Sequence, residues 1–326
     1  MERPTTENLL NLAKVALSDE DAAVALMTRL RWPNGVACPR CGGADPWKIN
    51  PKAPKGRRAA RKGLYQCRAC KRQFSVTTGS VFESSHLPLS KWLMAIHLMS
   101  ASKKGMSAHQ LHRMLGITYR AAWFVMHRLR YAMAHNTGLF SGTVEVDETY
   151  IGGKRRVGRY SYEGKGGRPG PKDQTKAAVV ALVERKGRAM AFPVERVDGA
   201  TLQAAVRERT IPAESDMMTD QWQGYMGFAN GFKSHSHIPH DRKIYVRGNV
   251  HTNTVEGFFA LLKRGIVGTF HHVSRGHLHR YCDEFAFRYS HRSALGVTDG
   301  ERAAMIVLGA EGKRLTYKQP EGNRAA

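Results

Sequence analysis

Acidic residues are scarce. Against 51 Lys and Arg stand only 27 Asp and Glu in 326 residues, a formal charge of +24. That imbalance excludes an electrostatically self-sufficient surface, because so large a like charge repels itself until a polyanion neutralises it. Nucleic acid is the expected partner. Also missing is any apolar run of membrane-spanning length, and the opening MERPTTENLL lacks the basic and apolar regions of a secretory signal. An intracellular, cytoplasmic protein with no membrane partner is expected. No basic amphipathic helix stands out, which argues against a membrane surface as the target of the charge. A hydrophobic content of 42% is enough for a real core, and the length allows two domains or one large domain with an appendage.

Cysteine is rare as well, and four of the five are paired: Cys38-Pro-Arg-Cys41 and Cys67-Arg-Ala-Cys70, with 25 residues between the pairs. Each C-x-x-C presents two sulfurs about one turn apart, so two such knuckles match tetrahedral Zn²⁺. Two disulfides or a redox dithiol are the competing readings. Neither suits an intracellular chain with no nearby βαβ pattern. The intervening stretch is longer than the usual knuckle spacing, and its excess is the basic PKAPKGRRAARKG. From Lys52 to Arg72 there are nine basic residues and no acidic one. Arg57 and Arg58 are therefore expected on phosphates, with Trp47, Tyr65 and Phe74 as packing or stacking groups. Cys282 falls on an apolar helix face and reads as a small buried hydrophobe.

Helices are expected over residues 5–31, with Ser18 as N-cap and a stop at Pro33-Asn34-Gly35, and in three segments between 88 and 131. Gly116-Ile117-Thr118 separates the last two, as in a helix-turn-helix. On that reading Arg120, His127, Arg128 and Arg130 face DNA; a plain helical linker with solvated arginines is the alternative.

Thr143–Tyr150 (TVEVDETY) reads as a half-buried strand leading into a Gly-Gly turn. Asp147 and Glu148 there lose hydration unless a cation or hydrogen bonds compensate them, so a metal site is expected at these acids; a frayed strand end with both acids solvated is the alternative. A Gly-rich cationic loop with Lys154, Arg155 and Arg156 follows. Ala177–Val183 and Ala189–Val194 then read as a hairpin, residues after Asp198 as a helix, and Asp216–Thr219 as a strand ending at Asp220. The order β, β, β, α, β is how a ribonuclease-H-like α/β fold begins. It would bring Asp147 and Asp220 side by side, although Asp220 could instead cap the next turn. In HTNTVEGFFALLK the residues Val255, Phe258, Phe259 and Leu262 share one helix face, leaving Glu256, Ala260 and Lys263 on another. Asn253-x-x-Glu256 also fits a capping box.

VEVDETYIGGK, MTDQWQGY and HTNTVEGFFALLKRGIVGTFHHVS, behind a C-x-x-C ribbon, resemble the insertion-sequence transposases of the ISXO-two-like group, relatives of the Merlin elements, over residues 20–295. The resemblance implies a DDE transposase that cuts and joins DNA, with Asp147, Asp220 and Glu256 as the catalytic, metal-holding triad. Mg²⁺ or Mn²⁺ is the implied cofactor at the acids, Zn²⁺ at Cys38, Cys41, Cys67 and Cys70. Lys263 stands where such enzymes carry a lysine seven residues after the Glu. Asn253 competes with Glu256 for the third position. The implied partners are the element's terminal inverted repeats, target DNA, and further copies of the chain once assembled on DNA. A zinc-ribbon DNA-binding regulator with structural acids, or a nuclease that only hydrolyses, are the alternatives. The expected division is a helical lead-in (1–35), a zinc ribbon (36–80), a helix-turn-helix-like segment (86–136), a ribonuclease-H-like domain (140–295) and a C-terminal tail (296–326).

Overall fold

A computed structural model describes residues 20–49, 63–134, 138–152, 176–239 and 246–316. The chain divides into two compact units, residues 1–135 with 291–326 and residues 136–290. The first opens with α1 (Glu20–Arg31), which buries Ala23, Leu26, Met27 and Leu30 at helical spacing. Gly35 takes a φ of +106° in the turn that ends it. The expected Ser18 cap lies outside the described residues.

Three short strands, β1 (Trp47–Ile49), β2 (Leu64–Gln66) and β3 (Gln73–Ser75), form an antiparallel sheet in that order. Three rings pack it: Tyr65 stacks on Phe74 with centroids 5.6 Å apart, and Trp32 meets both edge-on at about 6 Å. Three helices follow: α2 (Leu89–Ala101), α3 (Ala108–Leu115) and α4 (Tyr119–Met133). Ser107 caps α3 through the Gln110 amide, and Thr118 caps α4 through the Ala121 amide. Between them Gly116 sits in the left-handed region at φ +58°, so the chain turns within three residues. The helix-turn-helix pattern read from Gly116-Ile117-Thr118 thus matches the backbone.

The second unit runs β4 (Phe140–Ile151), β5 (Ala177–Glu184), β6 (Ala189–Val194), α5 (Gly199–Arg207), β7 (Thr210–Asp220), a 3₁₀ segment (Gln223–Ala229), β8 (Ser234–Ile238), α6 (Asn253–Gly265), a π-helical turn (Ile266–Phe270) and α7 (Leu278–Ser290). Its sheet order is β6-β5-β4-β7-β8, with β4 antiparallel to β5 and parallel to β7. That order and polarity are those of a ribonuclease-H-like fold. Strand β5 reads AAVVALV because helices cover both of its faces. Val179, Ala181 and Val183 pack with Val255, Phe258 and Leu262 of α6 and Phe285 of α7, while Val180 and Leu182 pack with Leu202, Val206, Tyr225 and Phe228. Strand β7 is longer than the four residues expected. Its first half was hidden by Pro212, which has no N–H for a ladder, and by a register slip between Phe140 and Gly142.

Residues 296–326, expected as a tail, instead contain α8 (Asp299–Leu308), which belongs to the first unit. Its start is a capping box: Thr298 Oγ1 accepts from the Glu301 amide at 3.2 Å, and Glu301 accepts from the Thr298 amide at 2.8 Å. The buried Arg302 donates to the Ser100 carbonyl of α2 at 2.6 Å, and Lys313 donates to the Tyr131 carbonyl of α4 at 3.0 Å. A sequence ending in KQPEGNRAA looks solvated, but the T-x-x-E at 298–301 was the readable sign of a helix. Among the described residues no helix is long and apolar enough to cross a membrane.

Candidate functional site

Residues of β4 alternate between the two faces of the sheet, so Glu145 and Asp147 point toward α6 and Glu148 toward the 3₁₀ segment. The β4–β7 register pairs Val144 with Met217 and Glu145 with Met218. Asp147 and Asp220 each lie two residues beyond this last pair, and the Asp220 charge is felt at Asp147. Glu256 enters from the exposed side of α6, one turn into the helix, where Val255, Phe258, Phe259 and Leu262 bury the other face as the spacing predicts. The fold thus gathers three acids that lie 73 and 36 residues apart in sequence.

The electrostatics record their proximity. Burial first, then the charges of Glu148, Asp220 and Glu256, push the Asp147 carboxyl up to about 8. Individual bonds orient each acid. Asp147 Oδ1 accepts from the Glu148 amide at 2.8 Å, Asp220 Oδ1 from the Trp222 amide at 3.0 Å, and Glu256 Oε1 from Thr252 Oγ1 at 2.9 Å. The Asp220 bond is a small Asx turn, so part of the capping alternative is realised beside the strand-end position. The Asn253–Glu256 capping box is not formed: the N-cap is Thr252, and Asn253 is the first helical residue. Glu148 accepts instead from the buried Tyr225 hydroxyl, and its own proton affinity is raised, chiefly by burial.

Asp147 holding a proton near neutrality marks a site short of positive charge. Hard carboxylate oxygens suit Mg²⁺ or Mn²⁺, so the donor set fits a divalent ion. The expected pH dependence of the metal-free acids follows directly. A carboxyl that binds protons more tightly folded than unfolded stabilises the fold below about pH 4, and that contribution is lost as pH rises toward about 8. Wild type should therefore lose stability relative to Asp147→Asn across this range when no Mg²⁺ is added. The difference should reach a few kcal/mol, since a tenfold change in proton affinity is about 1.4 kcal/mol and the group is only half-buried. Denaturant titrations of both proteins at several pH values check it; parallel curves would contradict it.

The four knuckle sulfurs all lie within 4.8 Å of one another. Cys38 and Cys70 Sγ are 3.8 Å apart, Cys41 and Cys67 Sγ 3.5 Å. Each loop turns the same way: Lys71 N–H donates to the Cys67 carbonyl at 3.1 Å and Gly42 N–H to that of Cys38 at 2.9 Å, with Gly42 and Lys71 both in the left-handed region. The Cys70 amide donates to Cys67 Sγ and leads in holding that thiol down to about 6, so it is poised to ligate as thiolate. Four convergent sulfurs fit Zn²⁺. Among the described residues the cysteines alone form so tight a cluster; the three acids are not drawn as close.

The DNA-facing expectations divide. Lys263 and Arg120 are exposed. Arg57, Arg58, Lys154, Arg155 and Arg156 lie outside the described residues. Arg128 is a correction: it is 8% exposed, donates to the Glu83 carbonyl at 3.2 Å and stacks on Phe124. His127 and Arg130 are buried too. Four basic residues on one helix suggested a DNA face, but which face an adjoining helix covers is not written in the helix itself. Exposed residues at the turn include Arg113, Met114, Gly116, Thr118, Tyr119 and Arg120. Arg128→Ala is therefore expected to cost roughly 1–3 kcal/mol of stability, from a lost buried hydrogen bond and its packing. It should leave the salt dependence of DNA binding unchanged; a flatter salt slope at full stability would return Arg128 to the DNA. Tyr65 and Phe74 pack inside the ribbon, whereas Trp47 is 48% exposed with Arg68 and Lys71 over its ring.

Sequence reasoning missed Glu145. It is fully buried, yet it bonds the first turn of α6. The available signal was its spacing, two residues before Asp147 and so on the same strand face.

Comparison with known proteins agrees with this layout. Residues 139–290 match the ISXO2-like transposase domain, and residues 18–73 match the transposase zinc-ribbon domain. An uncharacterized protein in transposable element ISH50 of Halobacterium salinarum is 26% identical over 286 residues, covering 82% of this chain and 90% of that protein. A crystal structure of a pre-cleavage Mos1 transpososome shares 12% identity and covers 68% of this chain and 79% of that one, with a TM-score of 0.24. So low a score carries no argument about the fold.

Proposed function

The chain belongs to the ISXO2-like transposases, and on that premise we propose that it binds the ends of an insertion sequence and carries out metal-dependent DNA cleavage and strand transfer. The observation that supports this reading is that Asp147 on β4 feels the charges of Asp220 and Glu256, which add to burial and to the charge of Glu148 in raising its proton affinity. These three would hold Mg²⁺ or Mn²⁺, which when bound supplies an activated water or 3′-hydroxyl and a stabilised leaving oxygen. The chain's own contribution is orientation. The Trp222 amide fixes the Asp220 carboxylate, Thr252 Oγ1 fixes that of Glu256, and the Tyr225 hydroxyl holds Glu148 on the other face of β4, from where its charge still reaches Asp147. Asn253, exposed at the first turn of α6, is the competing third residue; the hydrogen bond that orients Glu256 favours the acid.

The charge of +24 supports duplex DNA as the substrate, held through phosphates and so weakened by salt. In this reading the partners are the element's terminal inverted repeats, target DNA and other copies of the chain assembled on them. A strand-transfer assay with end-sequence duplex and Mg²⁺ tests the reading. Joined products support it, nicked but unjoined DNA would reduce it to a nuclease, and tight binding without cleavage would leave a DNA-binding regulator.

Lys263 is assigned to positioning the element end. It lies seven residues after Glu256 on the exposed face of α6, about 10 Å along the axis at 1.5 Å per residue. That is too far for an ion pair and about right for the phosphates next to the scissile one. Lys263→Ala should slow cleavage of end-sequence duplex more than that of scrambled duplex, and Lys263→Arg should keep most activity. Equal losses on both duplexes, or none on either, would return Lys263 to the solvent.

A further inference from the structure

Helix α6 starts without a cap of its own. Its N-cap, Thr252, makes no side-chain bond to a first-turn amide, so those N–H groups need an acceptor from elsewhere. Glu145 of β4 supplies it. Its fully buried carboxylate accepts from the Thr254 amide at 2.7 Å, the Val255 amide at 3.0 Å and Thr254 Oγ1 at 2.8 Å. A negative charge at this end of a helix also suits the helix dipole.

The charge is compensated from the other side. Arg185, at the end of β5, donates through Nε to Glu145 at 2.7 Å, and His251 Nδ1 lies 3.2 Å from the same carboxylate. The rest of the Arg185 guanidinium binds the strand of chain entering α6: the Asn249 carbonyl at 2.6 Å, Asn249 Oδ1 at 2.7 Å and the His251 carbonyl at 2.9 Å. One ion pair, with Glu145 fully buried and Arg185 partly so, thus ties residues 249–255 to β4. Apolar contacts between helix and sheet tolerate small slides, whereas a buried carboxylate loses its partners if the helix shifts, so an ionic junction sets one register. The tie lies two residues from an acid on each side, Asp147 after Glu145 and Glu256 after Thr254.

We infer that Glu145 is a positioning residue for the metal acids, acting by holding the start of α6 so that Glu256 reaches Asp147 and Asp220. The inference rests on the DDE reading, but its test separates the two. Zinc-loaded full-length protein is titrated with Mn²⁺ alone, free Mn²⁺ is followed by electron paramagnetic resonance, and cleavage of end duplex is measured against Mn²⁺ concentration. Glu145→Gln keeps the shape and removes the charge. It should raise the half-saturating Mn²⁺ about 10–100-fold in both measurements, the range for residues that orient metal ligands. Thr254→Val, which removes a single hydroxyl donor and leaves the ion pair in place, should raise it a few-fold. Phe285→Leu, in the core that α6 shares with α7, should lower the melting temperature without moving the Mn²⁺ dependence. Should Glu145→Gln fail to fold, Thr254→Val against Phe285→Leu decides alone. An unchanged Mn²⁺ dependence in a wild type that binds and cleaves overturns the positioning role, as does a shift that merely tracks melting temperature across all variants. A wild type that neither binds Mn²⁺ nor cleaves overturns the DDE reading and this inference with it.

Discussion

Asp147→Asn and Asp220→Asn are each expected to reduce Mg²⁺-dependent cleavage by on the order of 10³-fold or more while leaving DNA affinity equal to or slightly above that of wild type. The two effects come from one change. Asn keeps the volume and the hydrogen bond from the neighbouring amide, so the geometry at Asp147 Oδ1 or Asp220 Oδ1 survives. What goes is a negative charge at a point where a cation and a phosphodiester must meet. Without it the metal is held less well, and without metal the phosphate is repelled less. Relief of crowding at Asp147 should also make the metal-free variants at least as stable as wild type at neutral pH, because burial and three neighbouring acids work against its charge. Glu256→Gln should lose cleavage in the same way. Asn253→Ala is the contrast: if it abolishes cleavage while Glu256→Gln does not, the third position belongs to Asn253. Circular dichroism and denaturation accompany each assay, since unfolding rather than inactivation would assign these acids to structure.

How much of this was legible differs from residue to residue. Asp147 could be read because a strand pattern bounded by glycines made a carboxylate costly there. Asp220 could be read because it closes an apolar run. Their meeting depended on strand order, which the β, β, β, α, β succession already restricts. Glu145 could be placed on the face of Asp147 by its spacing, but its role could not be read, because its partners on α6 and at Arg185 lie 109, 110 and 40 residues away. Arg128 and Arg130 failed for a related reason. Helical spacing reveals that a face is shared, not whether another helix lies on it, and long cationic side chains bury their stems readily. Helix α8 was passed over although Thr298-x-x-Glu301 announced it, because the polar sequence beyond it drew the whole segment into one expected tail.

Removal of zinc should have the other large effect, confined to one part of the chain. Among its described residues the ribbon has three strands of three residues, packed by three rings, far less buried apolar surface than an independent fold needs. A structural zinc contributes roughly 10–16 kcal/mol to such modules, which exceeds their intrinsic stability. Chelation, or Cys67→Ser, is therefore expected to unfold residues 36–74 while the five-stranded unit stays folded. That unit has apolar layers on both faces of its sheet and contains none of the four ligands. Amide hydrogen exchange resolves the two regions: protection should vanish over residues 64–75 and persist over Ala177–Val194. Metal analysis should find one zinc per chain in protein prepared without chelator, lost in Cys67→Ser. Full zinc retention in that variant would break the assignment of the four sulfurs. Loss of protection across both units together would show that the sheet depends on the ribbon, against the compactness of its own core. Because the serine variant leaves Asp147, Asp220 and Glu256 untouched, any loss of activity in it should be recovered in part at low salt, where the remaining cations hold DNA more strongly.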